Sequence, residues 1–199
     1  MIRVGVCGGI GSGKSEACRI FARFGVPVYV ADERAKELMQ QQPLLGELQL
    51  AFGDCFEGAE LNRKRLAERV FGNTEELQRL NAIVHPAVRA DFRSWCSQQQ
   101  ADYVVLESAI LFEAKFDTEV DISVGVLAPM SLRIERVVKR DGCSEEHARQ
   151  RIAVQMSDDD ILARATFTIV NIAMEDFVRD IEEFNGRIRQ RAALQSKQC

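Results

Sequence analysis

The 199-residue chain has little of what metal cages and disulfide frameworks are made from: two histidines and six cysteines, with no C-x-x-C pair. Cys7, Cys18, Cys55, Cys96, Cys143 and Cys199 are scattered along the chain. That spacing speaks against both a zinc site and a disulfide scaffold, and reduced thiols are expected. His85 and His147 stand apart with no H-E-x-x-H, so no transition metal caged by the protein is expected. No apolar run approaches the roughly 18 residues that a membrane span requires, and "MIRVGVCGG" has too short an apolar run for a signal peptide. A cytoplasmic protein with no membrane partner is expected. Acidic and basic residues number 30 and 26, a net charge of −4. That balance argues against a dedicated nucleic-acid binder and makes any cationic site local. Proline is scarce, at four residues, and there is no Pro/Ser-rich linker, repeat or low-complexity segment. With 46% hydrophobic residues the chain can bury a core of its own, so residues 1–199 read as one domain carrying a helical insertion.

Glycine, by contrast, is concentrated. Gly8, Gly9, Gly11 and Gly13 lie within "VGVCGGIGSGKSEACRIF", residues 4–21, between an apolar run and a helical pattern. Clustered glycines let backbone N–H groups converge on a ligand, which forms a nest for an anion. Gly8, four residues, then Gly13-Lys14-Ser15 fits G-x-x-x-x-G-K-[ST] in the strand-to-helix context that motif requires. In such a loop the amides and the helix N-terminus hold nucleotide phosphates, Lys14 reaches the β/γ oxygens and Ser15 ligates magnesium. A dinucleotide fingerprint fits worse, because Lys14 or Glu16 would occupy its third glycine position.

Runs rich in β-formers recur at Ile2–Val6, Val26–Val30, Tyr103–Leu106, Ile122–Val126 and Phe167–Val170, separated by helical patterns. This alternation predicts an α/β fold with a parallel sheet of about five strands and helices on both faces. About seventy residues between the second and third runs carry no convincing strand and are read as the helical insertion, residues 33–100. Within it Asn62 can cap a helix carrying Leu66 and Val70. In "HPAVRADFRSW", Pro86 suits a first helical position, which sets His85 at a helix start with Val88, Phe92 and Trp95 facing a core. "SLRIERVVKRDGCSEEHARQRI" reads as a helix, an Asp-Gly turn and a second helix capped by Ser144.

Several side chains can do chemistry. Asp32 ends the second run, where ligands sit in open α/β sheets, and it can act as a general base or as a helix N-cap. Glu107 ends the third run and can be a magnesium-side acid or a cap. His85 can meet an anionic substrate or satisfy backbone groups. Arg133, Arg136 and Arg140 fall at i, i+3 and i+7, one helical face suited to phosphate or to solvent. A mobile helix pair over residues 131–156 would form a lid that excludes water and delivers arginines to the transferring phosphate.

From the phosphate loop to about Asn171 the chain resembles the dephospho-CoA kinase family. The resemblance rests on "GVCGGIGSGKS", "VYVADERAKEL", "LNAIVHPAV", "ESAILFEAKF", "RVVKRDG" and "RIAVQM" in that order. It implies a three-layer P-loop kinase with a helical acceptor-binding subdomain and a lid, which phosphorylates the ribose 3′-hydroxyl of dephospho-CoA with ATP and Mg2+. The implied nucleotide residues are Gly8, Gly9, Gly11, Ser12, Gly13, Lys14, Ser15, Glu16 through its backbone N–H, and Arg136. Asp32 is implied as the base, Arg140 as the lid arginine, and His85 with Arg89 as part of the acceptor side. The partners implied are the two small-molecule substrates, and a monomer or weak homo-oligomer is expected. The chain departs from the family pattern in four places. Val30 stands where a first acid is common, Ala109 where a proline is common, Ile161 where a basic residue is common, and Glu16 where a threonine is common.

Overall fold

Strand β1 (Ile2–Cys7) sorts its side chains by simple alternation: Ile2, Val4 and Val6 enter one core while Gly5 turns to the opposite face. The computed structural model describes residues 1–196, so Cys199 lies outside the described residues, and the other five cysteines are free thiols. After β1 come α1 (Lys14–Arg23), β2 (Val28–Val30), α2 (Ala31–Leu38), α3 (Leu44–Ala51), β3 (Phe56–Glu57), β4 (Glu60–Leu61), α4 (Arg63–Val70) and α5 (Thr74–Ser97). The chain continues with β5 (Tyr103–Glu107), β6 (Ile122–Leu127), α6 (Met130–Asp141), α7 (Glu145–Ala153), α8 (Asp158–Arg164), β7 (Phe167–Val170) and α9 (Met174–Ser196).

The five runs expected to be strands form one five-stranded sheet in the order β2-β5-β1-β6-β7, with the β5–β1, β1–β6 and β6–β7 ladders parallel. Val4 lies at the centre, paired with Val105 on one side and Ile122 on the other. Helices α1 and α9 cover one face through Ala17, Ile20 and Phe21 and through Phe177, Ile181 and Phe184. Across the sheet, Leu111 packs where a β-carbon on Gly5 would stand, 3.0 Å away. Ile161 of α8 packs against Gly125 in the same way, its Cγ2 2.7 Å from where a β-carbon would be. Ile161 is buried at 4% exposure, so a side chain that departs from the family's basic residue has become part of the core.

The chain divides into two compact units: Met1–Tyr29 with the chain from Gln99 onward, and Val30–Gln98. In the second unit Arg34 of α2 forks onto Asp91 of α5 with hydrogen bonds of 3.0 and 2.7 Å. Asn62 caps α4 as expected, its side chain accepting from the Arg65 N–H at 3.0 Å. Two expectations are corrected here. A short antiparallel pair, β3–β4, sits in the stretch read as having no strand. Its strands are two residues long, below any periodicity signal.

Pro86, moreover, does not begin a helix. It lies inside the 24-residue α5, which Asn73 caps by accepting from the Glu76 N–H, so His85 is at mid-helix. An interior proline costs on the order of 3 kcal/mol. Here the buried stripe Val84, Val88, Phe92 and Cys96 continues through it and holds the helix together.

Candidate active site

The loop between β1 and α1 is shaped by what leans on it. Gly13 holds φ +104°, and a β-carbon there would lie 1.9 Å from Asn171 Nδ2; one on Gly9 would lie 1.9 Å from Arg133 Nη2. A β-carbon on Gly8 would lie 2.3 Å from Val126 O, and one on Gly11 would lie 2.5 Å from Arg133 O. The loop is therefore pressed between the ends of β6 and β7 and helix α6, with no space for side chains on its glycines.

Helix α1 starts from Gly13 with no side-chain cap, which leaves first-turn amides and the positive end of the helix dipole without an internal acceptor. Gly9 C=O accepts from the Ser12 N–H at 3.1 Å and from Lys14 Nζ at 3.3 Å, so the lysine lies back over the loop. Ser12 is fully buried, and among the described residues its Oγ has no hydrogen-bond partner. Ser15 Oγ donates to Glu107 Oε1 at 3.0 Å, which joins the motif serine to the acid at the end of β5. The Glu16 side chain pairs with Arg19 at 2.6 Å on its own helix, leaving only its backbone to the loop. Burial pushes the Cys7 thiol up to about 12, and burial followed by the charge of Glu107 raises Cys18 as well. Burial thus favours the thiol form of both.

The three arginines of α6 do three different things. Arg133, expected on a phosphate or solvent face, is instead 98% shielded. Its Nε donates to Ile10 C=O at 3.0 Å and its Nη1 to Asp158 at 2.7 Å. Arg136 donates to Gly11 C=O at 3.3 Å and to Asn171 Oδ1 at 3.2 Å. Arg140 is exposed and forks onto its neighbour Asp141 at 2.6 and 3.0 Å. The helix–turn–helix reading itself is correct: Gly142 ends α6 in a left-handed conformation, and Ser144 accepts from the His147 N–H to cap α7.

In the second unit, Asp32 is exposed in the first turn of α2, which starts after Val30 without a side-chain cap, so the capping alternative is set aside. His85 and Arg89 lie one turn apart on α5, both half-buried. Burial first, and the Arg89 charge second, hold the imidazole below its ordinary value.

Sequence reasoning gave no role to Asn171, Gln155 or Asp158. Asn171 is buried and donates to Ser12 C=O at 2.9 Å. Its only signal was a polar residue following the last strand. Gln155 accepts from the Ile10 N–H at 2.6 Å, a contact between residues 145 positions apart that no local pattern reveals.

A glycine nest after the central strand of a parallel sheet, opening onto a Lys-Ser helix start, defines the class of P-loop nucleotide-binding proteins. The chain belongs to the dephospho-CoA kinase family, whose family model matches residues 2–176. It is 39% identical over 193 residues to a dephospho-CoA kinase of Bacteroides fragilis, an alignment covering 96% of this chain and 94% of that one. Among solved structures, TT1252 from Thermus thermophilus matches with a TM-score of 0.80 at 31% identity, covering 98% of this chain and 97% of that one. The dephospho-CoA kinase from Campylobacter jejuni matches with a TM-score of 0.69 at 25% identity, covering 94% and 97%. Among the described residues no helix is long and apolar enough to cross a membrane.

Proposed function

We propose that this chain transfers the γ-phosphoryl group of ATP to the ribose 3′-hydroxyl of dephospho-CoA, giving coenzyme A and ADP, in the cytoplasm and as a monomer or weak homo-oligomer. The observation that carries this reading is the phosphate loop, with its uncapped helix start, in a chain of the dephospho-CoA kinase family. Gly8, Gly9, Gly11, Ser12, Gly13 and the backbone N–H of Glu16 cradle the phosphates, and Lys14 turns from Gly9 C=O to the β/γ oxygens.

The donors at hand fit magnesium, which keeps several waters and takes only one or two protein oxygens alongside nucleotide phosphates. Ser15 Oγ with Glu107 supplies that pair. The ion would contribute neutralisation of the phosphate charge.

Phosphoryl transfer asks the protein chiefly for positioning and electrostatics. Asp32, unencumbered by a cap bond, accepts the proton of the attacking hydroxyl. Residues 33–100 hold the acceptor, with His85 and Arg89 on its side. Residues 131–156 act as a lid: Arg136 is held at the loop, while Arg140 swings from Asp141 to the transferring phosphate and closure excludes water.

The test is an acceptor panel. Incubation with ATP, magnesium and dephospho-CoA, AMP, CMP, shikimate or gluconate, read by mass spectrometry, is expected to add one phosphate efficiently to dephospho-CoA alone. Efficient transfer to AMP or CMP would assign the chain a nucleoside-monophosphate acceptor, and slow hydrolysis with no acceptor phosphorylated would make it a nucleotide switch.

A further inference from the structure

Ile10, at the middle of the phosphate loop, is gripped at three points by the segment that follows β6. Its N–H donates to Gln155 Oε1 at 2.6 Å, and its C=O accepts from Arg133 Nε at 3.0 Å. Its side chain packs on the small core that Ile134, Val137, Ala148 and Ile152 form between α6 and α7. The grip is itself braced, because Asp158 at the start of α8 receives Arg133 Nη1 at 2.7 Å and holds a guanidinium that is almost wholly buried. Among the described residues Arg133 Nη2 has no hydrogen-bond partner, and it lies 1.9 Å from where a β-carbon on Gly9 would be.

The geometry points to Ile10 as a positioning residue through which Gln155 and the Arg133–Asp158 pair preset the phosphate loop for nucleotide. A loop with four glycines among six residues, Gly8 to Gly13, has many conformations to lose on binding phosphate. Fixing one central peptide at both its N–H and its C=O removes much of that freedom before the ligand arrives, and preorganisation of this kind appears as affinity. The Ile10 N–H, committed to Gln155, is not among the amides offered to phosphate. The grip therefore shapes the nest without being part of it, and nucleotide affinity becomes a property of the 130–160 segment as well as of the loop.

This inference rests on the nucleotide-binding reading above, and the test separates the two. Binding of Mg–ADP and of dephospho-CoA is measured by calorimetry on the full chain for wild type, Gln155→Leu, Asp158→Leu, Asp158→Asn and Lys14→Ala, with far-UV circular dichroism on each. Gln155→Leu and Asp158→Leu are expected to bind Mg–ADP about tenfold more weakly while dephospho-CoA binding stays within about twofold. Asp158→Asn, which keeps an acceptor for Arg133, should stay within about threefold of wild type for Mg–ADP. Should Asp158→Leu fail to fold, Gln155→Leu decides. Wild-type Mg–ADP affinity in folded Gln155→Leu, or an equal loss of both ligands, overturns the positioning role while leaving the phosphate-loop reading in place if Lys14→Ala is impaired. Full Mg–ADP binding by Lys14→Ala would overturn both.

Discussion

Asn171 fills the space that a side chain on Gly13 would need: its Nδ2 lies 1.9 Å from the position of a Gly13 β-carbon and donates to Ser12 C=O at 2.9 Å. The end of β7 thus dictates a glycine at the start of α1. Gly13→Ala is expected to destabilise the chain by roughly 1–3 kcal/mol from its backbone conformation alone, with the collision adding to that. Asn171→Ala should relieve only the collision. Urea unfolding of the single and double variants checks this, and strictly additive effects would mean that the two residues do not share the space.

Lys14→Ala should abolish measurable turnover with an unchanged far-UV spectrum. Lys14 Nζ donates to Gly9 C=O at 3.3 Å, a long bond. In the proposed role the side chain acts on the nucleotide phosphates, so its removal takes a cation from the transferring phosphate.

Asp32→Asn keeps the shape but removes the proton acceptor. A general base is worth about 10²–10⁴-fold in rate, so kcat should fall by that order while the dissociation constant for ATP changes little. Because α2 starts without a side-chain cap, the same variant should leave the unfolding midpoint close to wild type. A stability loss with turnover preserved would contradict the assignment.

Arg140→Ala should lower kcat by about 10³-fold or more, the scale of an arginine acting on a transferring phosphate, with a smaller effect on ATP binding. Arg140→Lys should recover only part, since an ammonium lacks the planar fork. Hydrogen bonds from Arg140 and then Arg151 hold the Asp141 carboxyl well below the usual carboxylate range. Its contribution is therefore present above the ordinary value of 3.8 and is lost only as pH falls towards the depressed one. Hydrogen exchange over residues 131–156 should slow when an ATP analogue and dephospho-CoA bind together, and the ratio of free to bound exchange rates should not change with pH near neutrality.

His85 gives a slope of the same sign at higher pH. Its folded value lies below the ordinary 6.5, so as pH falls the unfolded chain takes up the proton first and stability declines from about 6.5 down to the folded value. Above 6.5 the term is constant. Urea midpoints between about pH 7.5 and 5 should fall less steeply in His85→Gln than in wild type, and equal slopes would remove burial of the imidazole from the account.

The sequence by itself determined the sheet, the phosphate loop and the caps, because each is written in neighbouring residues. Alternation set the five strands, Gly8 to Ser15 set the loop, and Asn62 and Ser144 each bond to an amide three residues on. Local pattern misled where packing outweighed propensity: Pro86 reads as a helix start, yet the stripe from Val84 to Cys96 carries α5 through it. Only the tertiary structure decided which arginine of α6 goes where. Their i, i+3, i+7 spacing made Arg133, Arg136 and Arg140 alike, but α8 and the loop bury the first, Asn171 and Gly11 take the second, and the third stays with Asp141 at the helix end. The grip on Ile10 was invisible for the same reason. Its partners lie 123 and 145 residues away, and no periodicity within a chain encodes which distant side chain will meet a given peptide once the sheet has brought the segments together.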